Sequence, residues 1–252
     1  MSRQLVIIPT YNERENIENV TNITLSLEPG FDILVVDDGS PDGTAGIVKE
    51  LMKEHTGRIH LLQREGKLGL GTAYIAGFKW ALEHNYDYIF EMDADLSHNP
   101  QDLVRMLAEL RNGYDVVVGS RYITGVNVVN WPMGRVLLSY TASKYVRTVT
   151  GMKINDATAG FVGYSRRFLS AIDLDGIDMI GYGFQIEMKY TAHRLGFKIK
   201  EIPIIFTDRT AGTSKMSGGI FGEAFWKVLL LRFRRFKMKK NEQNTDTQRK
   251  DS

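Results

Sequence analysis

The chain has 252 residues, 43% of them hydrophobic and 25% charged, with a formal net charge of +2 and no cysteine. That length accommodates one large α/β domain or two small ones. The composition excludes disulfides and thiolate metal sites, and the small net charge argues against a nucleic-acid partner.

The start, "SRQLVIIP", shows no signal-peptide pattern, and no run approaches the ~18 uncharged apolar residues of a spanning helix. A cytoplasmic chain is therefore expected. "LVIIP" predicts a first strand, followed by helical spacing of Ile17, Val20, Ile23 and Leu27. "FDILVVDD" predicts a second strand, and "SPDGTAGIVKELMKEH" a helix that Ser40 caps and Pro41 opens. "RIHLLQ" reads as a strand, then a glycine loop leads into a helix through "YIAGFKWALEH". "YDYIFEMD" and "YDVVVGS" read as strands around the helix "NPQDLVRMLAELRNG", with Asn99 as cap and Pro100 at its first position. Alternating strands and helices predict a mainly parallel sheet.

Beyond Arg121, "WPMGRVLLSYTASKYVRTVTG" and "FQIEMKYTAHRLG" read as helices, with "AGFVGYS" and "FKIKEIPIIFTD" extended. No repeat or Pro/Ser-rich linker interrupts the chain, so residues 1–215 are expected to form one continuous domain. Residues 216–240 read as an apolar-then-basic amphipathic helix ending in "RFRRFKMKK", and 241–252 as a disordered tail.

Ligands of open parallel sheets bind beyond the carboxyl ends of the strands. Polar residues gather at those ends: Thr10 to Glu13, Asp37 to Ser40, Asp93 to Asp95, and Ser120 to Tyr122. Asp93 and Asp95 stand two apart, so on a strand they would share a face and repel unless a cation lay between them. Mg2+ or Mn2+ with oxygen ligands would resolve this, Ser97 adding a hydroxyl. A lone D-x-D equally suits a solvated helix cap; Asp37 and Asp38, suited to ribose hydroxyls or a base N–H, favour the ligand reading. "KLGLGTAYIAG" does not make a dinucleotide loop, because Tyr74 occupies the third glycine position. Arg121, Arg135, Arg209 and Lys215 are candidate phosphate ligands, although exposed cations are commonly solvated. His98 suits capping or packing better than metal ligation.

"PTYNERENI", "VVDDGSPDGT", "KLGLGTAYIAG", "MDADLSH", "GSRY", "GYGFQIE" and "DRTAGTSK" occur in that order, across roughly residues 5–215. Together they resemble the dolichol-phosphate mannose synthases, polyprenyl-phosphate mannosyltransferases of glycosyltransferase family 2 with a Rossmann-like GT-A fold. The resemblance implies inverting transfer of mannose from GDP-mannose to a polyprenyl monophosphate. It implies that Pro9, Tyr11, Glu13, Val36 and Asp38 hold the guanosine, and that Asp93, Ala94 and Asp95 meet the ribose and diphosphate. Asp95, Ser97 and Asp93 would ligate Mg2+ or Mn2+, with Asp93, Asp95 and Arg121 as the catalytic set. Arg209 and Lys215 would hold the donor diphosphate, and Arg121 and Arg135 the acceptor phosphate. "SYTASKY" and "DATAGF" depart from the family pattern at Tyr140, Ser143 and Ala159, which bears on the acceptor's identity.

A phosphate monoester nucleophile, with its second pKa near ~6, needs no general base at neutral pH. Asp156 and Glu187 then read as positioning residues. A lipid acceptor would place the chain at the cytoplasmic face of a membrane, touching it through the C-terminal helix or through a small membrane-anchoring partner. Two alternatives stand beside this reading. One is a family-2 enzyme using UDP-glucose or a UDP-N-acetyl sugar, or a saccharide acceptor. The other is a phospho-accepting signalling receiver, which the position of "VVDDGS" after the second strand disfavours.

Overall fold

The computed structural model describes residues 2–179, 181–208, 220–234 and 236–238. Arg209 and Lys215, expected at the donor diphosphate, and the expected tail 241–252 lie outside the described residues.

The first half is built as the sequence predicts. Strands β1 (Gln4–Thr10), β2 (Asp32–Asp37), β3 (Ile59–Gln63), β4 (Tyr88–Glu91) and β5 (Val116–Ser120) alternate with helices. These are α1 (Ile17–Leu25), α2 (Thr44–Glu54), α3 (Leu70–Glu83) and α4 (Asp102–Arg111). Strand β6 (Val128–Val129), helix α5 (Met133–Thr150), strand β7 (Val162–Ser165) and helices α6 (Arg166–Ala171) and α7 (Tyr182–Arg194) follow. Strands β8 (Ile199–Pro203) and β9 (Phe206–Thr207) and helix α8 (Ile220–Leu231) complete the order.

Seven strands form one sheet, ordered β3-β2-β1-β4-β7-β5-β8. Among the described residues, β7 alone runs antiparallel in this sheet, wedged between β4 and β5. Strand β1 pairs in parallel with β2 on one side and β4 on the other, so the winding direction changes between β1 and β4. Alternation along β1 fills two cores. Leu5 and Ile7 face α3, α6 and α7, among Phe78, Phe168 and Phe184. Val6 and Ile8 face α1, α2 and α4, among Val20, Val48, Leu103 and Leu107. Fully burying each such side chain contributes about 1.5–3 kcal/mol.

Several local expectations are corrected. Ser40 and Pro41 do not open α2. Gly43 is its N-cap, and Asp42 Oδ1 accepts from the Thr44 amide (3.0 Å) and hydroxyl (2.6 Å). Ser40 instead donates its hydroxyl to Asp37 Oδ2 at 2.6 Å. Asn99 and Pro100 form a turn ahead of α4, which starts at Asp102; Asn99 Oδ1 accepts from the Gln101 amide. In α1, Thr24 joins Ile17 and Val20 in the core while Ile23 is only partly covered. The C-terminal helix expected to reach residue 240 ends at Leu231, where the Phe233 and Arg234 amides make turn bonds to Leu230 and Leu231. Among the described residues, no helix is long and apolar enough to cross a membrane.

Two glycines permit close packing. A Cβ on Gly77 would lie 2.8 Å from Ile7, so its absence lets α3 rest on β1. A Cβ on Gly163 would lie 2.7 Å from the Phe90 ring and 3.1 Å from Leu110. Gly163→Ala should therefore overpack the central sheet and destabilise the fold by about 1–3 kcal/mol. A urea midpoint unchanged from the parent chain would contradict this packing.

Candidate active site

The crevice between β1 and β4 collects two acidic turns. At the end of β2, Asp37 is fully buried and consumed by local structure. Its Oδ2 accepts the Thr10 hydroxyl at 2.9 Å and the Ser40 hydroxyl, and Oδ1 accepts the Ser40 amide. Asp38 turns the other way. Arg64 Nε donates to its Oδ1 at 2.7 Å and the Leu68 amide to its Oδ2 at 3.2 Å. The carboxylate thus fastens β2 to the glycine loop before α3. Pro9, Tyr11 and Glu13 stand at the end of β1, half-covered. The Glu13 amide donates to Thr44 Oγ1, and Glu13 Oε2 accepts from Asn16. Val36 is fully buried in the core, so any contact it makes with a ligand must pass through its backbone.

The D-x-D pair is not on a strand. β4 ends at Glu91, and residues 93–98 form a turn with Leu96 at φ +60°. Strand parity therefore does not bring Asp93 and Asp95 together; the turn positions them separately. Asp95 and Ser97 are buried, and the Ser97 amide donates to Asp95 Oδ1 at 3.0 Å. The Asp93 side chain keeps 40% of its surface exposed. A left-handed leucine is strained backbone, of the kind found at ligand sites.

His98 holds this turn. Its ring stacks on Phe161 at 4.8 Å and meets Phe206 edge-on, while Nδ1 accepts the Asp93 amide at 3.3 Å. Burial pulls its imidazole well below the usual range, so the ring is neutral, as an acceptor must be. Packing and capping, not ligation, is its role.

Glu91, two positions before Asp93, points into the interior. It is fully buried and accepts Gln185 Nε2 at 2.7 Å. Lys189, also fully buried, donates to the Ala159 carbonyl at 2.6 Å and to the Gln185 carbonyl at 3.1 Å. Burial pushes the Glu91 carboxyl up to about 8, against the opposing pull of Gln185 and Lys189. Burial likewise draws the Lys189 ammonium down to about 8.

Across the crevice, Arg121 is 6% exposed and bidentate on fully buried Asp156, with Nε to Oδ2 and Nη2 to Oδ1 both at 2.7 Å. Nη2 also reaches the Thr158 hydroxyl at 3.0 Å. Burial works to raise the Asp156 carboxyl, but Arg121 outweighs it and holds it below the ordinary range. Glu201 accepts the Asn155 and Asp156 amides, bracing the same loop from β8. Arg135, on α5, donates to Asp208 at 3.0 Å and lies 4.0 Å over the Trp131 ring. Glu187 accepts the Asp178 and Met179 amides and a bond from Arg234, in keeping with a positioning role. Arg64, Glu201 and Lys189 had no sequence signal, because each acts through partners distant along the chain, and Gln185 lay within the "GYGFQIE" motif without an assigned role.

The donor set suits a hard divalent ion. Asp95, Asp93 and Ser97 are oxygen donors on one turn, and among the described residues no cluster of three acids or imidazoles forms a closed cage. Mg2+ and Mn2+ sites of one or two carboxylates leave positions for substrate phosphate oxygens.

A family model described as Glycosyl transferase family 2 matches residues 5–173. A polyprenol monophosphomannose synthase of Mycolicibacterium smegmatis is 48% identical over 226 residues, covering 90% of this chain and 85% of the relative. An undecaprenyl-phosphate mannosyltransferase of Micrococcus luteus is also 48% identical over 226 residues, covering 90% of this chain and 92% of the relative. Among solved structures, glucosyl-3-phosphoglycerate synthase from Mycobacterium tuberculosis with Mn2+, UDP and glucosyl-3-phosphoglycerate is similar at TM-score 0.63 and 21% identity, covering 91% of this chain and 78% of that chain. The same enzyme with Mg2+ and UDP gives TM-score 0.64 at 22% identity, covering 92% and 79%. These likenesses establish a GT-A fold.

The buried Glu91 carboxyl generates a pH prediction. Between its unfolded value of 4.5 and about 8, the folded chain keeps a proton the unfolded chain has lost, so stability falls as pH rises through that window. Glu91→Gln keeps an acceptor for Gln185 and removes the titration. Its urea midpoint relative to the parent should rise from pH 5 to pH 8; an equal difference at both would show that Glu91 is not buried protonated.

Proposed function

This chain belongs to glycosyltransferase family 2, and from that premise we propose that it transfers mannose from GDP-mannose to a polyprenyl monophosphate, with inversion at the anomeric carbon. The observation that carries the reading is the Asp93–Ser97 turn at the β1/β4 switch point, in a chain 48% identical to two polyprenyl-phosphate mannosyltransferases. Pro9, Tyr11, Glu13 and Asp38 line the guanosine side, with Val36 contributing backbone alone. Asp93, Ala94 and Asp95 face the ribose and diphosphate, and Arg209 and Lys215 belong to the diphosphate as well.

Asp95 with Ser97 and Asp93 would hold Mg2+ or Mn2+, which supplies a Lewis acid that neutralises charge on the departing diphosphate. The attacking oxygen belongs to a phosphate that is mostly ionised at neutral pH, so no side chain need remove a proton. Arg135 and Arg121 present positive charge to that phosphate. Arg121 is held for this by Asp156, which orients its guanidinium plane and leaves the carboxylate itself away from the reaction.

An acceptor lipid implies peripheral contact with a membrane, at its cytoplasmic face. On α8, Trp226 and Leu230, with Phe233 just beyond, fall at i, i+4 and i+7, with 67%, 69% and 80% of their surfaces exposed. Such a stripe beside a basic run suits the headgroup boundary. A small membrane partner covering the same stripe is compatible with it. Serine at all three positions should abolish flotation with vesicles; retained flotation removes α8 from the contact.

The reaction is tested by supplying GDP-mannose, UDP-glucose and UDP-N-acetylglucosamine in turn, with polyprenyl phosphate and Mg2+ or Mn2+. GDP-mannose alone should give a glycolipid, and chelation should stop it. Asp95→Ala should lower kcat by roughly 100-fold or more. Full turnover by that variant, or turnover with a UDP-sugar in place of GDP-mannose, would overturn the assignment.

A further inference from the structure

Helix α5 carries an exposed stripe that does not include Arg135. Met133, Leu137, Tyr140, Lys144 and Arg147 recur at helical spacing and so lie along one stripe, with the apolar members in the first turns and the cations in the last. Met133, Leu137 and Tyr140 expose 71%, 56% and 47% of their surfaces. The buried members of the helix, Ser143, Val146 and Thr150, lie on a different face.

Near the basic end the stripe borders a cavity of about 390 Å³, lined by Tyr122, Tyr140, Lys144, Arg147, Thr148, Met152 and Asn155. Its charged lining is entirely cationic. Among the described residues no carboxylate pairs with Lys144 or Arg147; the Arg147 guanidinium donates instead to Asn155 Oδ1 at 2.8 Å. Tyr122 forms the inner wall, edge-on to Tyr140 at 5.5 Å. It is 6% exposed, with Ser139 beside its hydroxyl. Arg232 donates to the Val149 carbonyl at 2.8 Å, bringing a third cation to the same end of α5. Helix α8 packs against this end through Val228 and Leu231, beside Val146.

We propose that this cavity is a binding site for the phosphate headgroup of an anionic bilayer phospholipid, with Lys144 and Arg147 as its cations and the apolar turns of α5 entering the acyl boundary. The charge and the hydropathy both select this occupant. Two cations around a pocket, neither held by a carboxylate among the described residues, call for an anion, and an exposed apolar run continuing from them along the same stripe calls for a hydrocarbon attached to it. An acidic protein would satisfy the first requirement alone. The site is separate from the acceptor phosphate position at Arg121 and Arg135. Neither arginine lines the cavity: Arg121 has its Nε and Nη2 on Asp156, and Arg135 pairs with Asp208. The proposal rests on the lipid-acceptor reading only for the reason a bilayer would be near.

The test is partition of the full chain onto vesicles of phosphatidylcholine alone, or with one third phosphatidylglycerol, at fixed ionic strength. The parent chain should prefer the anionic vesicles. Each basic residue near such a surface contributes about five-fold, so Lys144→Ala with Arg147→Ala should weaken that partition roughly 30-fold. Lys144→Arg with Arg147→Lys should restore it, and Leu137→Ser should weaken binding to both vesicle types. Turnover of a short-chain, water-soluble polyprenyl phosphate should be unchanged in the alanine pair. Unchanged partition in that pair, or no preference for anionic vesicles in the parent, overturns the proposal. Equal loss of soluble-acceptor turnover also overturns it, because the pocket would then belong to the acceptor. Vesicle binding with no mannosyl transfer would leave the headgroup site standing and remove only the proposed reaction.

Discussion

Parallel pairing of β1 with both β2 and β4 is the constraint on which the site depends. It reverses the winding of the chain and leaves the carboxyl ends of β1 and β4 as walls of one crevice. The acidic turns after β2 and β4 are separated by more than fifty residues of sequence, yet this pairing delivers both to one edge. Gly77 allows α3 to lie close on β1 beneath that edge, so the same packing that stabilises the sheet sets the position of the glycine loop. Asp38 then ties that loop to β2 through Arg64 and the Leu68 amide.

Below the crevice the interior carries charge, which is expensive to bury unless every group finds a partner. Arg121 and Asp156 meet that condition with two short parallel bonds, and Glu201 supports the backbone that presents Asp156. Glu91, Gln185 and Lys189 form a second chain of contacts ending on the Ala159 carbonyl, three residues from Asp156. The two networks converge on the 156–159 loop. Residues on α7 and β8 therefore brace both the Glu91 end of β4 and the loop that presents Asp156 to Arg121.

The outer surface follows a different logic. The two core clusters against the sheet bury the apolar faces of the strands. α5 and α8 instead carry exposed apolar residues, and they pack on each other through a third, smaller cluster. Contiguous exposed apolar residues of this kind mark interaction surfaces, and the proposed lipid-bearing acceptor would supply a hydrophobic phase for them to meet.

Local pattern was enough for the strands and helices of the first half, though not for β6 or α6, because periods of two and of three to four residues encode which face is buried wherever one face meets a core. The ordered motifs were enough for the family, since their spacing reflects turns at strand ends that the fold brings to one edge. Details that turn on competition between neighbouring polar groups went differently. Ser40 was expected to cap α2 and instead bonds to Asp37, because the Asp42 carboxylate is a stronger acceptor two residues closer to the helix. Asp93 and Asp95 were expected to converge through strand parity, but β4 ends at Glu91 and a left-handed Leu96 sets the turn. The sequence by itself determined the alternating α/β order and the residue types available at the strand ends. Only the tertiary structure decided that Arg121 is bound by Asp156, that Glu91 faces inward, and that α5 shows a cationic pocket. Those outcomes depend on contacts between elements far apart in the chain, which no local period records.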